Sequence, residues 1–217
     1  ALVTAGPTRE YIDPVRYISN ESSGKQGYEI ALALNKLGIK TTLIIGPSNL
    51  VAQKDIKTKK IVTAKEMFNE VKKSLPVDVA ICTAAVSDFK PSTKNKNKIK
   101  KDQNDIKSIN LEKNRDILEY LSKSNKHRPK LVVGFSAETE NLNKNSILKM
   151  KKKNCDLIIA NDVSEKSSGF NSDYNKVSII DNSGSIQMIK KSKKSYIASK
   201  IAEVILDKLL IDDRNFN

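Results

Sequence analysis

The chain is poor in the groups that most often announce chemistry or a special environment. It has two cysteines, Cys82 and Cys155, far apart and each set in an apolar run. Two distant cysteines supply neither a disulfide framework nor a metal-ligand spacing, so buried free thiols in a reducing cytosol are the economical reading. Aromatic residues make up 5% of the chain and are not interleaved with lysine, which argues against base-stacking platforms for nucleic acid. No apolar stretch approaches the length of a membrane span, and no basic-then-apolar leader opens the sequence. A soluble, cytoplasmic protein with no membrane partner is therefore expected. Neither G-x-G-x-x-G nor the Walker A spacing occurs; the missing G-x-G-x-x-G, with no catalytic Tyr-x-x-x-Lys pair expected in a helix, weakens the reading as a nicotinamide-dependent oxidoreductase.

What is present starts with 217 residues, enough for one large α/β domain with a buried core. Lys and Arg number 39 against 25 Asp and Glu, a net +14 that concentrates polyanions, whether nucleic acid or phosphorylated metabolites. Runs such as "NKNKIKKDQND", "KMKKKN" and "KKSKKS" spread the lysine over the whole chain and read as solvated faces rather than one patch. Ala1 stands directly before a strand-like "LVTA" without an initiator Met, so the chain reads as a piece of a longer polypeptide.

Short apolar runs alternate with amphipathic stretches, the pattern of parallel strands joined by crossover helices. Leu2 to Ala5, Lys40 to Ile45, Val77 to Cys82, Lys130 to Phe135 and Asp156 to Ala160 read as buried strands. Lys25 to Leu37, Ala64 to Ser74, Asp116 to Ser122 and Leu142 to Lys153 carry apolar residues at helical spacing. "KVSIIDNSGSIQMI" alternates about Asn182-Ser183-Gly184 as a hairpin, and Lys194 to Leu210 reads as a last helix. The expected fold is α/β: a Rossmann-like, mostly parallel sheet with helices on both faces, plus a C-terminal β-hairpin and helix. Residues 87 to 105 have almost no apolar content, much charge and a proline, and read as a long mobile loop.

In such sheets ligands bind beyond the carboxyl ends of the strands. The turn after Ala5 is long, "GPTREYIDPVRYISNESSGKQG", with the helix expected at Gly24 or Lys25. Ser22 and Ser23 are good N-caps, and Gly24 and Gly27 would let a phosphate reach backbone N–H groups at the positive helix end. A Gly/Ser cap without a ligand fits the same residues.

The run "TAGPTREYIDPVRYISNESSGKQG", followed in order by "AAVSDF", "KIKK", "GFSAET" and "ANDV…GFNSD", resembles the phosphopantothenoylcysteine synthetase domain of the bacterial bifunctional coenzyme A biosynthesis flavoproteins. The resemblance covers nearly the whole chain. It implies a ligase in which the carboxylate of 4′-phosphopantothenate attacks the α-phosphate of CTP, giving an acyl-cytidylate and pyrophosphate. The amine of cysteine then displaces CMP. It also implies a homodimer with shared sites, a decarboxylase domain to which this part is fused or from which it is cut, and no flavin here.

The resemblance carries roles onto matching positions. Asn20 is expected to hold the acyl group of the intermediate, with an Asx turn as the structural alternative. Ser22, Ser23, Gly24 and Gly27 would face the triphosphate. Arg16 would pair with substrate carboxylate or phosphate, or else form an ion pair with Asp13 or Glu10. Cys82, Thr83, Ala84 and Ala85 would let nucleotide or acyl group lie against the main chain, Ala84 and Ala85 on the acyl side. Asp88 would contact the nucleotide, and Lys98, first of "KIKK", would serve cytidylate formation, where charge builds on the α-phosphate. Arg115, Asp116, Ile117 and Leu118 stand where relatives show an Asn-Pro-Asp-Ile run, and Arg115 gives up the proline's rigidity at a helix start. Phe135 would pack on base or ribose, and Lys149 and Lys153, four apart, would converge on one nucleotide. Asn161, Asp162, Phe170 and Asn171 belong to a strand-end loop without an assigned role. Mg²⁺ is implied by nucleotidyl transfer, with Asp88 a candidate ligand. A nicotinamide oxidoreductase and a basic nucleic-acid-binding module are the competing readings.

Overall fold

The computed structural model describes residues 1–51, 53–100, 108–123, 126–164 and 172–215. The five strands expected from the apolar runs are present: β1 (Leu2–Ala5), β4 (Thr42–Ile45), β6 (Val79–Cys82), β9 (Leu131–Glu138) and β10 (Leu157–Asp162). They lie parallel in one sheet with β5 (Lys57–Lys60), and the hairpin of β11 (Tyr174–Asp181) and β12 (Ile186–Lys193) adds antiparallel strands at one edge. The order across this sheet of 8 strands is β12-β11-β10-β9-β6-β1-β4-β5.

Each face has its own core, because the strands alternate side chains between faces. Val3, Ala5, Ile81 and Val133 pack with Ile30 and Leu34 of α1 (Lys25–Lys36) and with Ile197, Ile201 and Ile205 of α5 (Lys194–Asn215). Leu2, Ala80, Val132 and Ile158 face α2 (Ala64–Ser74), α3 (Ile117–Ser122) and α4 (Leu142–Lys153) through Met67, Phe68, Leu121 and Met150. A capping box starts α2: Thr63 Oγ1 accepts from Glu66 N at 3.2 Å while Glu66 reaches back to Thr63 N. Such a cap stabilises a helix by ~1 kcal/mol.

Several elements have no apolar signature. The long first turn holds a hairpin, β2 (Arg9–Tyr11) with β3 (Tyr17–Ser19), and buried Glu10 accepts from Ala64 N at 2.8 Å, tying the hairpin to the start of α2. The segment read as a loop over 87–105 opens with β7 (Phe89–Pro91), paired with β8 (Leu111–Lys113). Its continuation is held too: Asn95 N donates to Ile12 O at 2.9 Å and Ile99 N to Asp13 Oδ2 at 3.2 Å. Hydrogen bonds from its amides to a carbonyl and to a carboxylate, not apolar side chains, hold this stretch. Residues 101–105 lie outside the described residues.

Candidate active site

The chain runs from β1 through α1 to β4 on one side, then returns through β5 and α2 to β6 on the other side of β1. The strand order therefore reverses between β1 and β6, and the loops after them part to leave a crevice, the place where open α/β sheets bind ligands. Two clefts meet there, of about 630 and 620 Å³. They share Ala84, Val86, Asp88, Phe135 and Lys149, so they form one trough in two parts, each of ligand-binding size.

The first part lies against the start of α1 and is lined by Asn20, Ser22, Ser23, Gly24, Gly27, Thr83, Ala84 and Ala85, with Asn161 beyond them. Gly24 takes φ 75, a left-handed conformation that glycine reaches without strain, and this lets α1 begin at Lys25. The serines do not act as the N-cap. Ser22 Oγ accepts from Gly24 N at 3.2 Å and Ser23 Oγ from Lys25 N at 3.4 Å, so each serves an amide two residues on. Asn20 is not in an Asx turn: its Nδ2 donates to Val86 O at 3.0 Å, holding the amide across the cleft mouth. Asn161 Oδ1 is buried and has no partner among the described residues, so the wall of the cleft carries an acceptor awaiting a donor.

The second part runs along the start of α3 and is lined by Cys82, Asp88, Arg115, Asp116, Ile117, Leu118, Phe135 and Lys153. Ile117 and Leu118 bury their side chains in the core, leaving backbone to face the cleft. Asp116 caps α3, accepting from Glu119 N at 2.8 Å, and Arg115 lies over the Phe68 ring at 5.1 Å in place of a proline's rigidity. Lys149 and Lys153 share the α4 face but part in function. Lys149 Nζ donates to Phe135 O at 2.8 Å, which fixes its charge where the two parts meet. Lys153 is held by Asp116 at 2.7 Å and Glu119 at 3.3 Å, and these bonds raise its pKa. Burial pushes the Cys82 thiol up to about 12, so it lines the cleft as a neutral group.

Two expected residues stand elsewhere, and a third is at the cleft for a packing reason. Arg16 binds Asp13 through Nε at 2.9 Å and donates to Ile99 O at 2.9 Å, so it braces the β2–β3 hairpin against the 92–100 segment and lines neither cleft. Lys98 is exposed and lines neither cleft. Gly27 borders the first part for a different reason from the one expected: a Cβ there would meet Thr83 Oγ1 at 2.1 Å and Ala5 Cβ at 2.7 Å. Its bareness lets α1 lie close on β1. Asp162 turns to Ser164 and Lys176, while Phe170 and Asn171 lie outside the described residues.

Sequence reasoning missed Lys25, Gln26, Asn175 and Lys194 on the first part's wall. "KKSKKS" was read as solvated lysine, yet Lys194 is 3% exposed. Nothing in a lysine-rich background separates one lysine from the next; position directly after a strand was the available signal. A Tyr-x-x-x-Lys spacing does occur at Tyr196 and Lys200, but Tyr196 is exposed, Lys200 pairs with Glu203 at 2.7 Å, and neither lines a cleft. It gives the oxidoreductase reading no support.

Fold and trough together define a Rossmann-like α/β domain with a polar, cation-bearing cleft at its topological switch point. Residues 1–209 match the family described as DNA/pantothenate metabolism flavoprotein C-terminal domain, and the chain belongs to that family. It is 42% identical over 204 residues to the coenzyme A biosynthesis bifunctional protein CoaBC of Haemophilus influenzae, covering 94% of this chain and 50% of that protein. It is 40% identical over 217 residues to CoaBC of Escherichia coli K12, covering 99% of this chain and 52% of that protein. The chain thus spans about half the length of the curated relatives it matches. The crystal structure of the C-terminal domain of a CoaBC superposes with a TM-score of 0.79 at 33% identity, covering 98% of this chain and 95% of that one.

Proposed function

We propose that the chain is a ligase of coenzyme A biosynthesis that joins 4′-phosphopantothenate to L-cysteine, consuming CTP. The observation that carries the reading is the meeting of two ligand-sized clefts at Ala84, Asp88 and Lys149. A nucleotide along α3 and an acyl chain reaching in past Asn20 would bring a carboxylate and an α-phosphate together at that junction. Membership of the family and the likeness to CoaBC proteins support the same pathway.

The first step forms a bond between a carboxylate oxygen and the α-phosphorus, and the phosphorus–oxygen bond to pyrophosphate breaks with its electron pair. In the second, the amine nitrogen of cysteine attacks the acyl carbon, CMP leaves and the nitrogen loses a proton. Lys149, fixed by Phe135 O, stands where negative charge grows on the α-phosphate. The Asn20 amide, anchored on Val86 O, orients the acyl group for both steps. Backbone at Ala84 and Ala85 lets the substrate lie against the strand end, and Phe135 and the 115–118 backbone hold the base and ribose. Lys98 requires the 92–100 segment to swing inward or to serve a second copy's trough, which accords with a homodimer sharing its sites.

Bound to the triphosphate, Mg²⁺ would offset its charge and stabilise departing pyrophosphate. Among the described residues no group of three or more metal-type side chains exists. Asp88, common to both parts of the trough, fits the habit of Mg²⁺ to take one or two carboxylates together with phosphate oxygens. The reading places the enzyme in the cytoplasm, with a decarboxylase as the other half of the full-length protein and no flavin in this half. The test is pyrophosphate release with each of the four nucleoside triphosphates, with and without phosphopantothenate and cysteine. CTP-dependent release that needs phosphopantothenate is expected; release from no triphosphate overturns the proposal.

A further inference from the structure

We infer that Asn114 is a positioning residue that clamps the main chain on both sides of Asp88 and so sets the carboxylate shared by the two parts of the trough; which ligand that carboxylate meets rests on the ligase reading. Asn114 follows β8 and stands shortly before the Asp116 cap of α3, on the wall of the second part. Its N–H donates to Asp88 O at 2.8 Å, and its side-chain Nδ2 donates to Ser87 O at 2.9 Å. Ser87 O can only accept, so the amide nitrogen and not Oδ1 faces it. The two accepting carbonyls belong to the peptide units that flank the Asp88 Cα, and pinning both planes fixes φ and ψ of Asp88 together.

Both ends of the clamp are themselves held. On the Asp88 side, buried Ser87 donates its N–H to Thr8 Oγ1 at 3.1 Å and its hydroxyl to Phe89 O at 2.6 Å, and Asn20 Nδ2 holds Val86 O just before it. On the Asn114 side, Lys113 pairs with Phe89 in the β7–β8 ladder, Arg115 lies over the Phe68 ring and Asp116 is bound by Lys153. Asp88 itself is exposed, and its carboxylate has no hydrogen-bond or ion-pair partner among the described residues. With no side-chain contact to orient it, the carboxylate is placed by its backbone and a few staggered rotamers. Asn114 therefore sets the acid at the junction and ties it to the 115–118 backbone, so that the two loops of the second part keep one spacing.

The test is calorimetry with CTP, together with pyrophosphate-release kinetics, on the whole chain as wild type, Asn114→Ala, Asp88→Ala and the double variant. Asn114→Ala keeps its backbone bond to Asp88 O and should fold, yet bind CTP roughly 3- to 10-fold more weakly, the worth of one neutral hydrogen bond. Asn114→Asp, alike in shape but with an acceptor against Ser87 O, should lose more. Asn114→Ala should add nothing once Asp88 is alanine, because it acts through that carboxylate. A folded Asn114→Ala that binds CTP and turns over as wild type does, or a loss as large in the Asp88→Ala background, overturns the inference. The assigned NMR signals of the Asn114 side-chain NH₂ read the clamp without any nucleotide: hydrogen exchange slower than that of a free asparagine amide is expected, and exchange at the free rate overturns the clamp. A wild-type chain that shows the slowed exchange but binds no CTP overturns the ligase reading and leaves the clamp standing.

Discussion

Gly27→Ala probes how closely α1 must lie on the sheet for the trough to exist. The added Cβ would stand 2.1 Å from Thr83 Oγ1, 2.7 Å from Ala5 Cβ and 3.2 Å from Thr4 O. None of these is the free end of a flexible chain: Thr83 Oγ1 is itself bonded to Thr4 O at 2.5 Å, and Ala5 is buried in β1. Relief means lifting the start of α1 by about 1 Å to restore van der Waals separation. Overpacking costs about 1–3 kcal/mol, and a contact this short puts the cost in the upper part of that range, about 2–3 kcal/mol; alanine's better helix propensity returns about 1 kcal/mol, leaving a loss of about 1–2 kcal/mol. In a chain of this size that lowers Tm by roughly 2–8 °C. Because the same turn lines the first cleft, the KM for the acyl substrate should rise together with the loss of stability. Thermal unfolding of Gly27→Ala, Thr83→Ala and the double variant forms a cycle: removing Oγ1 relieves the closest contact but leaves Ala5, so partial rescue is expected. A Gly27→Ala protein that melts at or above the wild-type temperature would refute the reasoning.

Lys98→Gln should abolish pyrophosphate release with Tm unchanged, since Lys98 is exposed and outside the core; an active variant removes it from the chemistry. Burial pushes Cys82 up to about 12 and Cys155 up to about 11, so each is about 0.1% thiolate or less at pH 8. Neither should be alkylated by iodoacetamide in the native chain, and fast labelling at pH 8 read by mass spectrometry would contradict this. Glu70 is drawn from its ordinary 4.5 down to about 2 by hydrogen bonds from Lys59 and Lys73. Its stabilisation is thus complete above about 4.5 and fades as pH falls toward about 2. Denaturant melts of wild type and Glu70→Gln should differ at pH 6 and converge near pH 2, and a pH-independent difference would count against the ion pairs.

The parallel core was legible because buried strands such as Val79–Cys82 are continuous apolar runs, and α2 advertised its apolar face. What escaped was structure held by main chain and charge. The edge strand β5 reads Lys-Thr-Lys-Lys, the sort of lysine-rich edge that discourages pairing with another chain and carries no apolar period. The β2–β3 hairpin and the 92–100 segment are organised by buried Asp13, which accepts from Val15 N, Arg16 N and Ile99 N. An aspartate that serves an amide 86 residues away in sequence cannot be read from spacing. Most expected cleft residues came from ordered motifs after strand ends, and they do line the trough. Lys194 was read as solvated, yet it is buried, and of the two readings offered for Arg16 the ion pair with Asp13 is the one present: residue type fixes charge, while burial and partners come only with the fold.

The most direct test of the account follows oxygen. Phosphopantothenate labelled with ¹⁸O in its carboxylate, turned over with CTP and cysteine, should deliver one ¹⁸O to CMP, because the carboxylate oxygen bonds to the α-phosphorus and stays there when the amide forms. Label appearing in inorganic phosphate or pyrophosphate, with CMP unlabelled, would place the attack on another phosphorus and contradict the proposed meeting of acid and α-phosphate in the trough.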